Sequence, residues 1–210
     1  MPNVLVVGST RGLGASIVDT YSARDGYYVF GTSRSSDVPD ASSRKFYVSS
    51  IDVSEEAAGQ RLATEIAASG KKLDVVIISA GYFGTEDFET PNWDKEIKMY
   101  TTSSIGPVFI VHHLVNAGLL GEGSKIILVS SESGSITLRH AEEGGGNYGH
   151  HASKAALNMV GKLLSLDLRE KKVAVGIVHP GFMRTEMTKS VGFDKFWEDG
   201  GGKFINSRYR

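Results

Sequence analysis

The chain has 210 residues, a formal net charge of −1 and 40% hydrophobic residues, enough to bury one substantial core, which predicts one domain. Charges of both signs are interspersed, so the concentrated basic surface that nucleic acids and anionic membranes require is not predicted. The sequence contains no cysteine, which excludes disulfides, thiolate metal sites and cysteine nucleophiles.

The amino terminus runs from Met1-Pro2-Asn3 into a strand without a basic region, an apolar signal core or a cleavage site. No apolar run reaches the length of a membrane span. We therefore expect a soluble protein of the cytoplasm. Metal binding is not expected either, because His112 and His113 are neighbours whose side chains diverge on a helix, and no other spacing suits metal ligands.

The first predicted element is a strand over 4–7, which runs into a glycine-rich turn and then into a helix over 15–23. The turn comprises Gly8, Ser9, Thr10, Arg11, Gly12, Leu13 and Gly14. Its glycines permit a tight turn and let a diphosphate approach the backbone N–H groups at the start of the helix. The spacing Gly-x-x-x-Gly-x-Gly is neither the G-x-G-x-x-G fingerprint nor the loop of NTPases. The turn predicts a nucleotide site of another kind.

The second strand, over 27–32, ends at Thr32 and is followed by Ser33-Arg34-Ser35. An acidic residue here accepts from the ribose 2′-hydroxyl of NAD, whereas arginine suits the 2′-phosphate of NADP. This chain has no acid at that point, and Arg11 in the first turn supplies a second guanidinium. The pattern predicts NADP(H), the alternative being that both arginines are solvated surface residues.

Two further strands are predicted in the middle of the chain. The first, over 46–51, ends at Asp52-Val53, and Ser54 with Glu55 and Glu56 is typical of a helix start. The second, over 73–78, is apolar except for Asp74, as is typical of a central parallel strand, and ends at Ser79-Ala80-Gly81. Small residues at that end leave room for a ligand.

The second half continues the alternation of helices and strands. A helical stretch over 93–120 is broken at Gly106-Pro107, and a buried strand over 125–129 ends at Ser130-Ser131. A long loop over 132–149, a helix over 150–171 and a last buried strand over 173–178 follow. This order predicts an α/β fold with a doubly wound parallel sheet, which binds ligands at the carboxyl ends of its strands.

The chain resembles the short-chain dehydrogenase/reductase family over about residues 3–190, and within it the small carbonyl reductases close to C-factor and sniffer. The motifs that carry the resemblance are Gly8-Ser9-Thr10-Arg11-Gly12-Leu13-Gly14, Asp52, Ser79-Ala80-Gly81, Ser130-Ser131, Ala152–Asn158 and Pro180–Thr185. The resemblance implies a nicotinamide nucleotide. Its implied binding residues are Gly8, Ser9, Thr10, Arg11, Gly12, Leu13, Gly14, Arg34, Asp52, Val53, Ser79, Ala80, Gly81, Lys154, Pro180, Gly181 and Thr185.

The resemblance also implies hydride transfer to a carbonyl or from an alcohol, assisted by a serine, a tyrosine and a lysine. Ser131 and Lys154 match, but one turn before Lys154 the chain has His150 instead of tyrosine. Tyr148 lies roughly 120° around a continuous helix from Lys154, although the glycines of 144–149 allow it to swing inward. Tyr148, or less favourably His150, is the candidate acid/base, and the alternative for His150 is a polar first-turn residue.

Two functions remain open at this point. The first is an NADP(H)-dependent oxidoreductase of a small carbonyl or alcohol. The helical stretches 93–120 and 150–170 correspond to those through which members of the family dimerise, so the resemblance also implies a homodimer. The second is a non-catalytic NADP-binding redox sensor or interaction protein. Ser131 and Lys154 favour the first function. His150, the short carboxyl end and Ser103, which like Ser79 replaces an asparagine of the family pattern, favour the second.

The carboxyl end is shorter than the family pattern implies. We expect a dinucleotide-binding domain over 1–190 and a shortened tail over 191–210, rich in glycine and then in basic and aromatic residues. The tail is interpreted as a frayed end, with a remnant edge strand over 203–206 as the alternative.

Overall fold

The computed structural model describes residues 1–193 and Lys195. Its centre is a six-stranded parallel sheet with the strand order β3-β2-β1-β4-β5-β6. The strands are β1 (Asn3–Val7), β2 (Tyr28–Thr32), β3 (Lys45–Val48), β4 (Leu73–Ile78), β5 (Leu120–Val129) and β6 (Ala174–Val178). The predicted doubly wound α/β fold is confirmed. The strand order reverses between β1 and β4, which places a ligand-binding crevice at their carboxyl ends.

Helices cover both faces of this sheet. They are α1 (Gly12–Ser22), α2 (Ala58–Ala68), α3 (Trp93–Tyr100), α4 (Gly106–Asn116), α5 (Tyr148–Asp167) and α6 (Glu186–Ser190). A π-helical segment, Thr101–Ile105, joins α3 to α4, and two single 3₁₀ turns, Glu132–Gly134 and Ala141–Glu143, lie in the loop before α5.

The core explains why the strands are so apolar. Successive side chains of β1 point to opposite faces, and Val4 and Val6 join one buried cluster while Leu5 and Val7 join the other. All four are fully buried. A strand covered on both faces needs apolar residues at every position, which is the pattern that predicted β1 and β4.

The predicted break at Gly106-Pro107 is wrong, because the chain stays helical there. The π-helical turn leads directly into α4, and Pro107 lies in the first turn of α4, where its missing N–H does least harm. Gly106 serves packing instead: a Cβ atom at this position would collide with the backbone oxygen of Val53. The glycine thus lets α4 approach the loop after β3.

Other boundaries also differ from the sequence prediction. Helix α4 ends at Asn116 rather than at 120, and β5 begins at Leu120 rather than at 125. Helix α2 begins at Ala58 rather than at Ser54, since the Ser54 hydroxyl donates to Asp52 Oδ1 (2.7 Å) in a turn before the helix. Helix α5 begins at Tyr148, two residues earlier than expected. Strand β6 is half exposed, because within the described residues it pairs only with β5.

The predicted tail over 191–210 lies outside the described residues except for 191–193 and Lys195. The alternative strand over 203–206 falls wholly outside them.

Candidate active site

A cavity of about 570 Å³ lies at the carboxyl edge of the sheet and is lined by the loops that follow all six strands. Every residue that the resemblance implied for the nucleotide lines it, with the exception of Ser9. These residues are Gly8, Thr10, Arg11, Gly12, Leu13, Gly14, Arg34, Asp52, Val53, Ser79, Ala80, Gly81, Lys154, Pro180, Gly181 and Thr185. Residues 177 positions apart in sequence, Gly8 and Thr185, thus meet at one edge because parallel strands all end there.

The glycine-rich turn has the close approaches that a bound diphosphate needs. Gly8 has φ +82°, and a Cβ atom there would lie 2.6 Å from the Cα atom of Ala80. Gly12 has φ +56° and begins α1, and a Cβ atom there would lie 3.7 Å from the Thr185 side chain. The first N–H groups of a helix have no intrahelical partner and attract anions. The turn therefore fits the diphosphate of a dinucleotide.

Ser9 has a different place from the one that the resemblance implied. It is fully buried, and its hydroxyl accepts from the Thr32 N–H (2.8 Å) and donates to the Thr32 carbonyl (3.2 Å). Thr32 Oγ1 in turn accepts from the Gly8 N–H at 2.8 Å. Ser9 fastens the turn to the end of β2 and does not line the cavity.

Charged side chains line the end of the cavity that is formed by the loops after β2 and β3. Arg11 and Arg34 are exposed and line the cavity together with the half-buried Asp52. Partial burial acts to raise the pKa of Asp52, but hydrogen bonds from Ser54 and the positive charges of Arg34 and Lys98 outweigh it and lower that pKa. Asp52 is thus held as a carboxylate beside the arginine.

A tight contact brings the loop after β5 against α5. A Cβ atom on Gly134 would lie 2.6 Å from the carbonyl carbon of Lys154, so only glycine permits this approach. Ser130 turns inward and its hydroxyl donates to Asn158 Oδ1 at 2.6 Å. Both serines line the cavity, and Ser131 Oγ accepts from the Ser133 N–H at 3.1 Å. Its hydroxyl proton stays available for another acceptor.

Lys154 lies at the base of the cavity. Its side chain is buried, and its Nζ donates to the carbonyl of Val129 at 2.9 Å. Burial disfavours the ammonium form and lowers the pKa of Lys154 to about 8.

The structure separates the two acid/base candidates. His150 lines the cavity one turn before Lys154, and its ring meets Phe83 edge-on at 4.5 Å between centroids. Burial, the charge of Lys154 and that of His151 lower the pKa of His150 to about 3. Tyr148 starts α5 and is 41% exposed, and it is not among the residues that line the cavity. The helix is continuous from Tyr148 to Lys154, so the inward swing that the sequence left open does not occur.

One wall of the cavity, which begins at the Phe83 ring beside His150, is aromatic and apolar. No sequence pattern indicated this wall. Phe193 contacts Phe83 at 6.0 Å and Phe182 at 5.5 Å between ring centroids, and Tyr82 and Met187 complete this wall. Phe83 and Phe182 each follow a strand end by a few residues. The rule that pointed to Gly81 and Gly181 could have included them.

The loop over 132–147 closes one side of the cavity. The Arg139 guanidinium lies 3.5 Å from the Glu143 carboxylate and donates to the Gly144 carbonyl through Nε at 3.1 Å. His179 Nδ1 accepts from the Glu132 N–H at 3.2 Å. The charged groups on this side thus interact with other protein groups.

Over residues 1–193 and Lys195, no three His, Asp or Glu side chains are grouped as metal ligands would be. No helix in this part of the chain is long and apolar enough to span a bilayer.

Comparison with known proteins identifies the fold and the motifs. The family model described as short chain dehydrogenase matches residues 2–195. A curated relative, 1-hydroxy-2-glutathionyl-2-methyl-3-butene dehydrogenase from Rhodococcus sp. (strain AD45), is 30% identical over 189 residues, which are 90% of this chain and 81% of the relative.

Solved structures agree. A putative short-chain dehydrogenase/reductase from Burkholderia multivorans with bound NADP has a TM-score of 0.73 and 25% identity, covering 89% of this chain and 81% of that chain. The carbonyl reductase Sniffer of D. melanogaster has a TM-score of 0.75 and 22% identity, covering 89% and 83%. The chain belongs to the short-chain dehydrogenase family of oxidoreductases.

Proposed function

We propose that the protein is an NADP(H)-dependent oxidoreductase that transfers hydride between the nicotinamide and a small carbonyl or alcohol substrate. The observation that carries the proposal is that the glycine-rich turn, Ser131, His150 and Lys154 all line one cavity. When bound, the nicotinamide supplies or accepts the hydride. The chain's own residues hold the cofactor and the substrate oxygen.

The preference for NADP(H) rests on the two arginines at the end of the cavity that follows β2. Arg11 and Arg34 suit a 2′-phosphate, and Asp52, the nearby carboxylate, follows β3 and is offset by Arg34. The Burkholderia structure of the same family, which contains NADP, supports this choice.

Titration of NADPH and NADH against the wild type and Arg34→Ala tests the cofactor. We expect tighter NADPH binding in the wild type and a loss of about 1.5–3 kcal/mol in the variant, the value of a charged hydrogen bond, with NADH binding little changed. Arg24→Ala, which removes an exposed arginine far from the cavity, is the matched control. Equal affinities for the two cofactors would refute the assignment.

Three side chains are proposed to act on the substrate oxygen and the ribose. Ser131 donates a hydrogen bond to the substrate oxygen, and the Lys154 ammonium binds the nicotinamide ribose. In the reduction, water supplies the proton that this oxygen takes up when the hydride adds to the carbonyl carbon. His150 takes the place of the phenol beside the substrate oxygen. Because burial and Lys154 keep its imidazole neutral, His150 acts as a neutral hydrogen-bond donor, a role in which an imidazole can polarise a carbonyl.

The aromatic wall sets the kind of substrate. Phe83, Phe182 and Phe193 present ring faces and edges to the cavity, which favour an apolar carbonyl or alcohol over a charged one. The Rhodococcus relative is named as the dehydrogenase of a 1-hydroxy compound, which supports an alcohol as one form of the substrate.

Activity is measured as NADPH oxidation with aldehydes, ketones and quinones, and as NADP reduction with the corresponding alcohols. We expect turnover of apolar members and little turnover of carboxylate-bearing analogues. A protein that binds NADPH but turns over none of them would be the non-catalytic binding protein instead.

A further inference from the structure

Glu86 is a buried acidic residue outside the cavity lining, only 9% exposed. It lies in the segment between β4 and α3, three residues after Phe83. Its carboxylate accepts from the Gly149 N–H at 2.8 Å and from the Asn92 N–H at 3.3 Å. One side chain therefore joins the first turn of α5 to Asn92, the residue that caps α3.

The backbone of Glu86 makes a second pair of bonds to the same place. The Glu86 carbonyl accepts from the Asn147 N–H at 2.9 Å, and the Glu86 N–H donates to Asn147 Oδ1 at 3.2 Å. The approach is close, since a Cβ atom on Gly146 would lie 3.0 Å from the Glu86 carbonyl oxygen. Three of these four bonds thus hold residues 147–149. The Glu86 carboxyl also meets that of Glu96 on α3, and burial together with this neighbour raises the pKa of Glu96.

Helix α5 needs this support because it lacks a cap of its own. Asn147 precedes the helix in the left-handed conformation, with φ +50°, and its side chain makes no cap bond within α5. Helices usually have such a bond from the residue before the first turn. The Gly149 N–H, an orphan donor of the first turn, is satisfied from another segment by Glu86.

The bonds end one residue before His150. Gly149 is also packed against α3, where a Cβ atom would lie 2.5 Å from Met99 Cε, so this turn has little freedom of its own. The His150 ring contacts Phe83, which belongs to the same segment as Glu86. Segment 83–86 thus makes two contacts with this region. The Phe83 ring contacts His150, and Glu86 forms hydrogen bonds with the turn that carries His150.

We propose that Glu86 is a positioning residue that holds the first turn of α5, and with it His150, in place against Phe83 at the edge of the cavity. The kinetic part of this inference rests on the proposed function, because it assumes that His150 meets the substrate. The positional part does not, and the experiment separates the two.

The first readout is the position of the His150 ring, followed by the ¹H chemical shifts of its ring protons in the cofactor-free protein. The Phe83 ring, edge-on at 4.5 Å, gives these protons a ring-current shift that reports the contact. Glu86→Ala is expected to move them toward the values of free histidine, whereas Glu89→Gln, which alters an exposed acid in the same loop, is expected to leave them in place.

The second readout is turnover. Glu86→Ala should lower kcat about tenfold with the affinity for NADPH unchanged, since a small displacement of a reacting group costs rate more than binding. Glu86→Gln keeps an oxygen for the Gly149 N–H and should stay within about threefold of the wild type, as expected when one hydrogen bond of modest net value is lost. In the His150→Ala background, Glu86→Ala should have no further effect.

Unchanged His150 shifts in Glu86→Ala, or additive effects of the two substitutions on kcat, would overturn the proposal. If Glu86→Ala does not fold, Asn147→Gly serves instead: it keeps the left-handed conformation and removes only the Oδ1 acceptor, and the same shifts and kcat must move. If the wild type has no turnover, the proposed function fails, while the ring shifts still decide whether Glu86 positions the histidine.

Discussion

The first turn of α5 decides which of its side chains reaches the cavity. Tyr148 and His150 are two positions apart, and a helix separates such residues by about 200° around its axis. His150 is directed toward Phe83 and Lys154, whereas Tyr148 lies beside Gly145, whose Cβ atom would be 3.6 Å from the tyrosine hydroxyl. The residue type that the family uses is therefore present in the turn but points away.

Substitution of each residue tests this assignment. His150→Ala is expected to lower kcat by about 100-fold with NADPH binding retained. This is the lower end of the effect of a side chain that transfers a proton to a reacting oxygen or polarises its bond. Tyr148→Phe should change kcat less than threefold because its hydroxyl lies outside the cavity lining. The reverse pattern would restore Tyr148 as the acid/base. Since the His150 pKa is about 3, no inflection from its imidazole is expected near neutral pH.

The buried ammonium of Lys154 has a cost in stability that depends on pH. Its pKa falls from 10.5 in the unfolded chain to about 8 in the fold. The unfolded state therefore binds more protons between these values, and the contribution of Lys154 to stability rises as pH rises from about 8 to 10.5. Below that window the charged lysine destabilises the fold by the full amount.

Thermal unfolding of Lys154→Met checks the sign. At pH 7 we expect the variant to have a higher Tm than the wild type, by roughly 2–4 °C for each kcal/mol of removed desolvation cost, while NADPH affinity falls. The difference in Tm should shrink from pH 8 to 10.5. Lys162→Met, at an exposed position of α5, is the control and should show no such trend. A gap that widens with pH would contradict the argument.

At the scale of elements, glycines decide how closely helices and loops approach one another. Gly134 lets the loop after β5 approach α5, and Gly106 lets α4 approach the loop after β3. At each position a Cβ atom would collide with backbone atoms of the neighbouring segment. These contacts bring Ser131 to Lys154 and Val53 to the cavity edge. Gly59 has the same role between α2 and α4, where a Cβ atom would lie 2.5 Å from the Phe109 carbonyl oxygen.

Gly59→Ala is therefore expected to destabilise the protein by about 1–3 kcal/mol, the usual cost of overpacking, despite the better helix propensity of alanine. Denaturant unfolding measures the change. Gly121→Ala is the matched control, because a Cβ atom there meets nothing within 4 Å and the stability should hardly change. A stabilised Gly59→Ala would mean that α2 and α4 can separate at little cost.

At the scale of the whole molecule, α5 buries one side and leaves large apolar side chains on the other. Met159, Leu163 and Leu166 are 59%, 52% and 52% exposed, and their spacing places them on one face of the helix. An apolar face of this kind marks an interaction surface. We propose that it forms the interface of a homodimer, as expected from the family resemblance.

Sedimentation velocity at micromolar concentration tests the assembly. The wild type should sediment as a dimer, and Leu163→Glu should shift it to the monomer because a buried unpaired carboxylate at a twofold interface is costly. Gln60→Glu, on the exposed side of α2, should remain dimeric. A wild type that is monomeric at all concentrations would refute the interface.

The sequence by itself determined the order of the motifs along the chain and the edge of the sheet at which they meet. Apolar runs ending in small or polar residues predict parallel strands, and parallel strands bring their carboxyl ends to one edge. That reasoning placed Arg34, Asp52 and Ser131 at one edge of the sheet. The joint order of the motifs indicated the family, and the resemblance then added Lys154.

Only the tertiary structure decided which side chains face into the cavity, because direction depends on where a helix begins and on what packs against it. The start of α5 at Tyr148 turns the tyrosine outward, and Glu86, 62 positions before that residue, supplies the missing cap. Ser9 turns inward to Thr32. The aromatic wall joins residues 83, 182 and 193, whose contact no local pattern encodes, since such contacts depend on the packing of distant segments.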